Sequence, residues 1–364
     1  METRRLLYTA STTRHIKHFH MPYIEMLKKR GITVDILAGG SESDFPGHTF
    51  FDIPFYKKIV SPKNIGIVHK IRRILKKNRY DVIILNTALT AALVRLALPG
   101  RLKKTTRVVN ICHGYFFGQN VSPMKNRMYL SIEKLLAKKT DDIVVMNSED
   151  LAYAKKFKLC EKEVFFVHGM GYDPEKYHSG VKTLNNTPAT ELVYVAEHSD
   201  RKNHKELLTA MAKAVKQGAN LNLSLAGDGK LMEENRKLAG ELGLAGRVKF
   251  LGYLDYIVPV YANCDYAVST SRIEGLPFNI MEALACGIPC VVSDVKGNRD
   301  LVKNEATGYI YAPGDVHRLA QILAALNKNT RTYIHMQSEA AKSALPYAVT
   351  ETQKEFSVIF DKIL

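Results

Sequence analysis

Two carboxylates, Glu274 and Glu282, flank a Gly-Leu-Pro turn in "STSRIEGLPFNIMEALACGIPCVVSD", residues 269–294. The preceding "CDYAVSTS" has the character of a buried strand, so Glu274 falls just past a strand's carboxyl end. Glu282 falls in a helix running to Cys286, with Gly287 supplying the C-terminal stop. Carboxylates accept hydrogen bonds from sugar hydroxyls, and a helix N-terminus favours phosphate. Such an element can hold a sugar at one end and a ribose at the other. The same residues also allow a plainer reading, with Asn279-x-x-Glu282 as a capping-box variant and Glu274 as a solvated loop acid.

A second element, "LVYVAEHSDRKNHKELL" (192–208), reads as strand, polar turn and helix, with Arg201, Lys202 and His204 around the helix start. Cations there oppose the helix dipole unless an anion sits between them, and a diphosphate would serve. An ordinary exposed basic turn is the alternative. A third, "LAGDGKL" (225–231), places Gly227 and Gly229 after the next strand, where missing side chains allow close backbone approach to a phosphate. Gly-rich turns of this kind are common, so alone this is a weak signal.

The elements that must position these residues alternate along the chain. "RRLLYTAS", "TVDILAGG", "YDVIILN", "TRVVNICHG" and "DDIVVMN" are short apolar runs ending in polar or glycine turns. "TELVYVAE", "NLNLSLAGDG", "RVKFLGY", "CDYAVSTS" and "IPCVVSD" repeat the pattern, with helical stretches at 203–217 and 230–243. Runs of this kind are parallel strands buried on both faces, in βα units. The expected fold is α/β, with two doubly wound, Rossmann-like domains facing a cleft that holds the active site. The polar, turn-rich "YHSGVKTLNNTPATE" (177–191) is the expected linker. The expected divisions are an N-terminal acceptor-side domain at 1–180, a C-terminal nucleotide-sugar domain at 181–345, and a terminal helix at 346–364. That helix would carry Phe356, Ile359 and Phe360 on one side.

At 364 residues, with 46% apolar and 24% charged, each half can bury a core. Five scattered cysteines without a C-x-x-C pair read as reduced thiols of a cytosolic protein. The start "METRRLLYTASTTRH" lacks the apolar core of a secretory signal. The greasiest run, "DVIILNTALTAALVRLALPG" (81–100), is broken by Asn86, Thr87, Thr90 and Arg95, so it reads as strand, turn and helix, not a membrane span. Net charge is +16, and residues 1–180 carry nearly all of it, with 31 Lys+Arg against 16 Asp+Glu. Nucleic acid, an anionic membrane and a phosphate-bearing substrate compete to explain that excess. No zinc-finger spacing or RNP-like strand supports nucleic acid. The helix-like "KIRRILKKNR" (70–79) suits anionic lipid.

The three elements, in this order, resemble family 4 of the retaining GT-B glycosyltransferases. The mark is E-x7-E, here "EGLPFNIME", followed by "ALACGIPCVVSDVKGNRDLV" and "ATGYIYAPGD", over about residues 190–316. "HFHMPYIEMLKKRGITVDILAGG", "NICHGYFF", "SIEKLLAKKTDDIVVMNSEDLAYAKKF" and "HGMGYDPEKY" resemble a subgroup that builds bacterial surface polysaccharides. The resemblance implies transfer of a sugar from a nucleoside-diphosphate donor, a UDP-sugar being expected, with retention and no catalytic metal. The expected acceptor is a lipid-linked saccharide at the inner face of the cell membrane, with no cofactor beyond the donor. It further implies that Lys202 binds the diphosphate, with Arg201, Gly227, Gly229, Gly275, Leu276 and Phe278 completing the donor site. Glu274 would contact the transferred sugar, Glu282 the ribose, and His113, in "CHG", the donor sugar from the other domain.

The chain also departs from the family pattern. Glu197 stands where members often carry an arginine, and Pro277 removes one backbone N–H from the turn. The first loop, "YTASTTRHIKHFH", lacks the usual paired glycines, and Arg14 and His20 are expected to contact acceptor or phosphate there. A metal site on His15, His18 and His20 is a weaker reading of the same loop, and the expected set has no metal. The rival activities are a UDP-sugar epimerase-type enzyme and a non-catalytic nucleotide-sugar-binding scaffold.

Overall fold

The apolar runs of the first half become parallel strands in a computed structural model, which describes residues 4–56, 61–181, 188–327 and 331–364. They are β1 (Arg5–Thr12), β2 (Thr33–Gly39), β3 (Phe50–Asp52), β4 (Val82–Asn86), β5 (Arg107–Cys112), β6 (Asp142–Val145) and β7 (Val164–Phe166). Their order in the sheet is β3-β2-β1-β4-β5-β6-β7, and every pairing is parallel. All residues of β4 and β6 are buried, as helix-covered parallel strands require. Residues 81–100 fold as β4 followed by the helix Ala88–Ala97, and no helix among the described residues is long and apolar enough to cross a membrane. On that helix the fully buried Arg95 makes a two-pronged pair with Glu133 at 2.9 and 3.0 Å. "KIRRILKKNR" forms the last part of the helix Lys63–Asn78, with Arg79 just past its end.

The second half supplies β8 (Thr190–Val195), β9 (Leu221–Ala226), β10 (Val248–Gly252), β11 (Tyr266–Ser269), β12 (Cys290–Ser293) and β13 (Gly308–Tyr311). Their order is β10-β9-β8-β11-β12-β13. The chain divides into one unit of Met1–Gly171 with Val349–Leu364, and another of Tyr172–Ala348. Residues 172–180 therefore group with the second sheet, and part of the expected linker, 182–187, lies outside the described residues. The helix Val349–Ile363 packs on the first unit through buried Phe356, Ile359 and Phe360. There the Tyr23 ring packs at a tilt against Phe356 with centroids 4.5 Å apart, its hydroxyl lies 2.7 Å from that of Thr352, and it donates to the Met170 carbonyl.

Each sheet reverses its winding once, between β1 and β4 in the first unit and between β8 and β11 in the second. At such a point the connections leave in opposite directions and open a crevice at the strand carboxyl ends.

Candidate active site

The crevice of the second unit collects the three elements of the sequence. Glu274 follows β11 and is 7% exposed. It accepts from Lys202 Nζ at 2.5 Å and from Arg201 Nη1 at 3.1 Å, both on the turn after β8. Burial pushes its pKa up, but Lys202 and then Arg201 outweigh this and hold it below the ordinary value, so it is ionised. A solvated loop acid it is not.

Lys202 is held by its backbone. Its carbonyl accepts from the Tyr194 hydroxyl at 2.8 Å and from Thr270 Oγ1 at 3.1 Å, which ties the turn to β8 and to the end of β11. Asn203 then turns left-handed, at φ 53°, to start the helix His204–Lys216. Its amide donates to Glu206, whose other oxygen accepts from the Tyr311 hydroxyl at 2.8 Å. Tyr194, Thr270, Glu206 and Tyr311 are positioning residues that sequence reading missed. They carry no motif, and Thr270 and Tyr311 act across 68 and 105 residues of chain.

His204 is a correction. Read as a cation at the helix start, it is buried and its pKa falls to about 3, through burial first and then His198 and Lys202. It is a neutral ring stacked between Tyr194 at 4.7 Å and His198 at 4.1 Å. The glycines of the third element face a neighbouring loop. A Cβ on Gly227 would stand 2.2 Å from the Ala196 carbonyl oxygen, and one on Gly229 2.5 Å from that of His198. Their missing side chains let the loop after β9 close on the loop after β8, which carries Lys202. Gly297, not singled out in the sequence, does the same for the turn after Glu274, since its Cβ would lie 2.3 Å from the Gly275 carbonyl oxygen.

Glu282 lies in the helix Phe278–Ala285, whose N-cap position is Pro277, so it is too far along to close a capping box. Its carboxylate accepts from Tyr261 at 3.3 Å and is also hydrogen-bonded by Tyr177. Burial raises its pKa to about 7, and the two phenols only moderate that rise. Between Glu274 and Glu282, Leu276 is buried, while Gly275 and Phe278 are partly exposed. Arg201 and Glu197 are exposed.

The crevice of the first unit gathers residues that the sequence scattered. His15 and His20 follow β1, Asn86 ends β4 and Thr87 follows it, and His113 follows β5. His113 Nε2 lies 3.2 Å from Asn86 Oδ1, and His20 Nε2 lies 3.2 Å from His15 Nε2. Burial lowers all three histidine pKa values, that of His15 to about 4, so the rings are neutral. Thr87 sits at φ 60°, unusual for a β-branched residue, with its hydroxyl 2.6 Å from that of Ser11. His18 turns away, with Nδ1 against the Arg14 carbonyl, so the histidines that meet are not the trio of the loop alone. Arg14 is exposed and His20 fully buried.

Comparison with known proteins agrees with this architecture. Residues 180–343 match the family described as Glycosyl transferases group 1, and residues 23–182 match Glycosyltransferase Family 4. EpsD of Bacillus subtilis, itself assigned as a glycosyltransferase without a stated substrate, is 27% identical over 98% of this chain and 96% of its own. An Escherichia coli UDP-Gal:alpha-D-GlcNAc-diphosphoundecaprenol alpha-1,3-galactosyltransferase is 26% identical over 78% of each chain. Among solved structures, Anabaena HepE in complex with UDP and glucose shares the fold with a TM-score of 0.75, at 18% identity over 99% of this chain and all of its own. With both halves of the chain matched and both sheets wound alike, the protein belongs to the family 4, group 1 glycosyltransferases of GT-B fold, among the enzymes of bacterial polysaccharide biosynthesis.

Proposed function

We propose that this glycosyltransferase moves a sugar from a UDP-sugar to a hydroxyl of a lipid-linked saccharide, with retention and without a catalytic metal at the diphosphate. The observation that carries the reading is the buried carboxylate of Glu274 held by Lys202 and Arg201 at the β8/β11 crevice. Two cations there fit a diphosphate, and the acid beside them fits the hydroxyls of the attached sugar. When the donor binds, its phosphates take over Lys202 and Arg201, and Glu274 is released towards the sugar.

Cleavage of the glycosyl–phosphate bond builds negative charge on the leaving diphosphate. Fixed donors at that place lower the barrier, each worth about 2.7–4 kcal/mol. The sugar passes through an oxocarbenium-like state, which the ionised Glu274 stabilises. Glu282 accepts the ribose hydroxyls, Gly227, Gly229 and the Gly275–Leu276–Phe278 turn shape the donor pocket, and His113 offers a neutral imidazole to the sugar. Arg14 and His20 serve the acceptor side. The UDP preference draws support from the names of the galactosyltransferase relative and the UDP-bound structural neighbour, and the lipid-linked acceptor from the former. The excess of cations in residues 1–180 supports a place at an anionic membrane surface.

The test is transfer from a panel of UDP-sugars to undecaprenyl-diphosphate-linked saccharides in the presence of chelator, with the anomeric configuration read by NMR. An α-linked product from an α-linked donor supports the reading. Inversion refutes the retention, and donor hydrolysis without acceptor dependence refutes the transfer.

A further inference from the structure

The three imidazoles of the first crevice form a closed triangle. Ring centroids are 5.0 Å apart for His15 and His20, 4.9 Å for His15 and His113, and 5.1 Å for His20 and His113. One ring nitrogen from each lies within 4.8 Å of the other two. Among the described residues this is the one group of three or more His, Cys, Asp or Glu side chains so arranged.

The hydrogen bonds around the triangle fix the tautomer of His113. Asn86 Nδ2 donates to the Thr9 carbonyl at 3.1 Å, so the amide cannot turn over without losing that bond. Its Oδ1 therefore accepts from His113 Nε2–H at 3.2 Å, which leaves the lone pair of His113 on Nδ1. The Tyr8 hydroxyl, also bonded to the Asn86 side chain, lies 2.8 Å from His20 Nδ1. His20 Nε2 lies 3.2 Å from His15 Nε2, so in the metal-free protein one of these rings donates to the other. The His113 tautomer follows from the network, beginning at a backbone carbonyl.

Histidines that ligate metals are held in this way, with the outer N–H given to a carbonyl or other acceptor and the inner nitrogen bare. Tetrahedral zinc with bonds of 2.0–2.1 Å puts its ligand nitrogens about 3.3 Å apart, close to the His15–His20 separation. His20 is buried while His15 and His113 are partly exposed, which leaves a side open to an oxygen ligand. The strained Thr87 beside Asn86 and its bond to Ser11 hold the ends of β4 and β1 together beneath the triangle.

We propose that His15, His20 and His113 form a binding site for one divalent cation of the zinc class, with an open coordination position. Three nitrogen ligands and no carboxylate suit zinc, cobalt, nickel or copper and disfavour magnesium, manganese and calcium. Because the ion takes His113 Nδ1, it excludes any contact of that lone pair with a sugar. Zinc therefore inhibits transfer while leaving UDP binding intact. That last consequence rests on the function proposed above, but the site does not.

The experiment uses the full chain stripped by chelator. Zinc is titrated against a chromophoric chelator, cobalt is followed by its visible spectrum, and UDP binding is read in the same samples. One equivalent of zinc, intense four-coordinate cobalt bands and indifference to magnesium are expected. His15→Ala abolishes the zinc uptake and the cobalt bands, Asn86→Ala weakens zinc binding about 10–100-fold, and His18→Ala changes nothing. Circular dichroism melts confirm that each variant folds. Wild type that takes up no zinc, or zinc binding unchanged by His15→Ala in folded protein, overturns the site. A lost UDP signal with zinc binding retained overturns the donor reading alone.

Discussion

Glu274→Gln keeps the shape of the side chain and removes its charge, and the ion triad makes the consequence two-sided. In the free protein Lys202, 11% exposed at the side chain, loses its ionised partner. Arg201, 44% exposed, is screened by water and contributes little. A hydrogen bond to a charged group contributes about 1.5–3 kcal/mol, and for a unit of this size each kcal/mol moves the melting midpoint by about 2–4 °C. The variant should therefore melt about 3–12 °C lower in the transition that UDP shifts. UDP itself, having no sugar to offer Glu274, no longer has to displace a carboxylate from Lys202. Its stabilisation should be undiminished or larger, while sugar transfer falls at least about 100-fold. Differential scanning fluorimetry with and without UDP, beside a transfer assay, reads all three. A variant as stable as wild type would refute the triad. A UDP shift lost together with activity would refute the assignment of Glu274 to the sugar rather than the phosphates.

Other outcomes follow from the same geometry. Glu282 has its pKa raised from 4.5 to about 7, so the folded state holds a proton there that the unfolded chain gives up. The stability it contributes is full below about pH 4.5 and is lost as pH rises to about 7. Since the ionised form is the better ribose acceptor, UDP affinity should rise over the approach to pH 7. Tyr177→Phe removes a bond that lowers this pKa, and isothermal titration across pH should find the rise displaced upward; an unmoved profile would clear Tyr177 of that role. Gly227→Ala places a Cβ against the Ala196 carbonyl at φ 142°, with an expected cost of at least about 1–3 kcal/mol in denaturant titration and weaker UDP binding. Arg95→Met strands the buried Glu133 and should destabilise by about 3–5 kcal/mol, much of it recovered in Arg95→Met/Glu133→Leu.

The sequence disclosed most of the sheets because long runs of Val, Ile and Leu have few other ways to be buried. Strands β3 and β7 escaped notice, being three residues each at sheet edges, and so did β13, four residues at the edge of the second sheet. The donor-side residues were legible as a family pattern, but their pairing was not. Glu274 and Lys202 are 72 residues apart and meet only because β8 and β11 lie side by side. The histidine triangle was hidden for the same reason. His113 joins His15 and His20 through the β1–β4–β5 order, while His18, closer in sequence, faces away. Spacing alone could not say that Gly227 and Gly229 accommodate a neighbouring loop, or that burial strips His204 of its charge.

The central claim is a nucleoside-diphosphate site at the β8/β11 crevice with Lys202 at its centre. Its most direct test is thermal stabilisation by UDP, GDP and ADP of wild type and of Lys202→Ala. At about 100 times its dissociation constant a ligand adds roughly 2.7 kcal/mol, readily seen as a raised midpoint. The account predicts a shift selective for UDP that shrinks in Lys202→Ala. A shift from no nucleotide in folded protein, or an equal UDP shift in the variant, would contradict it.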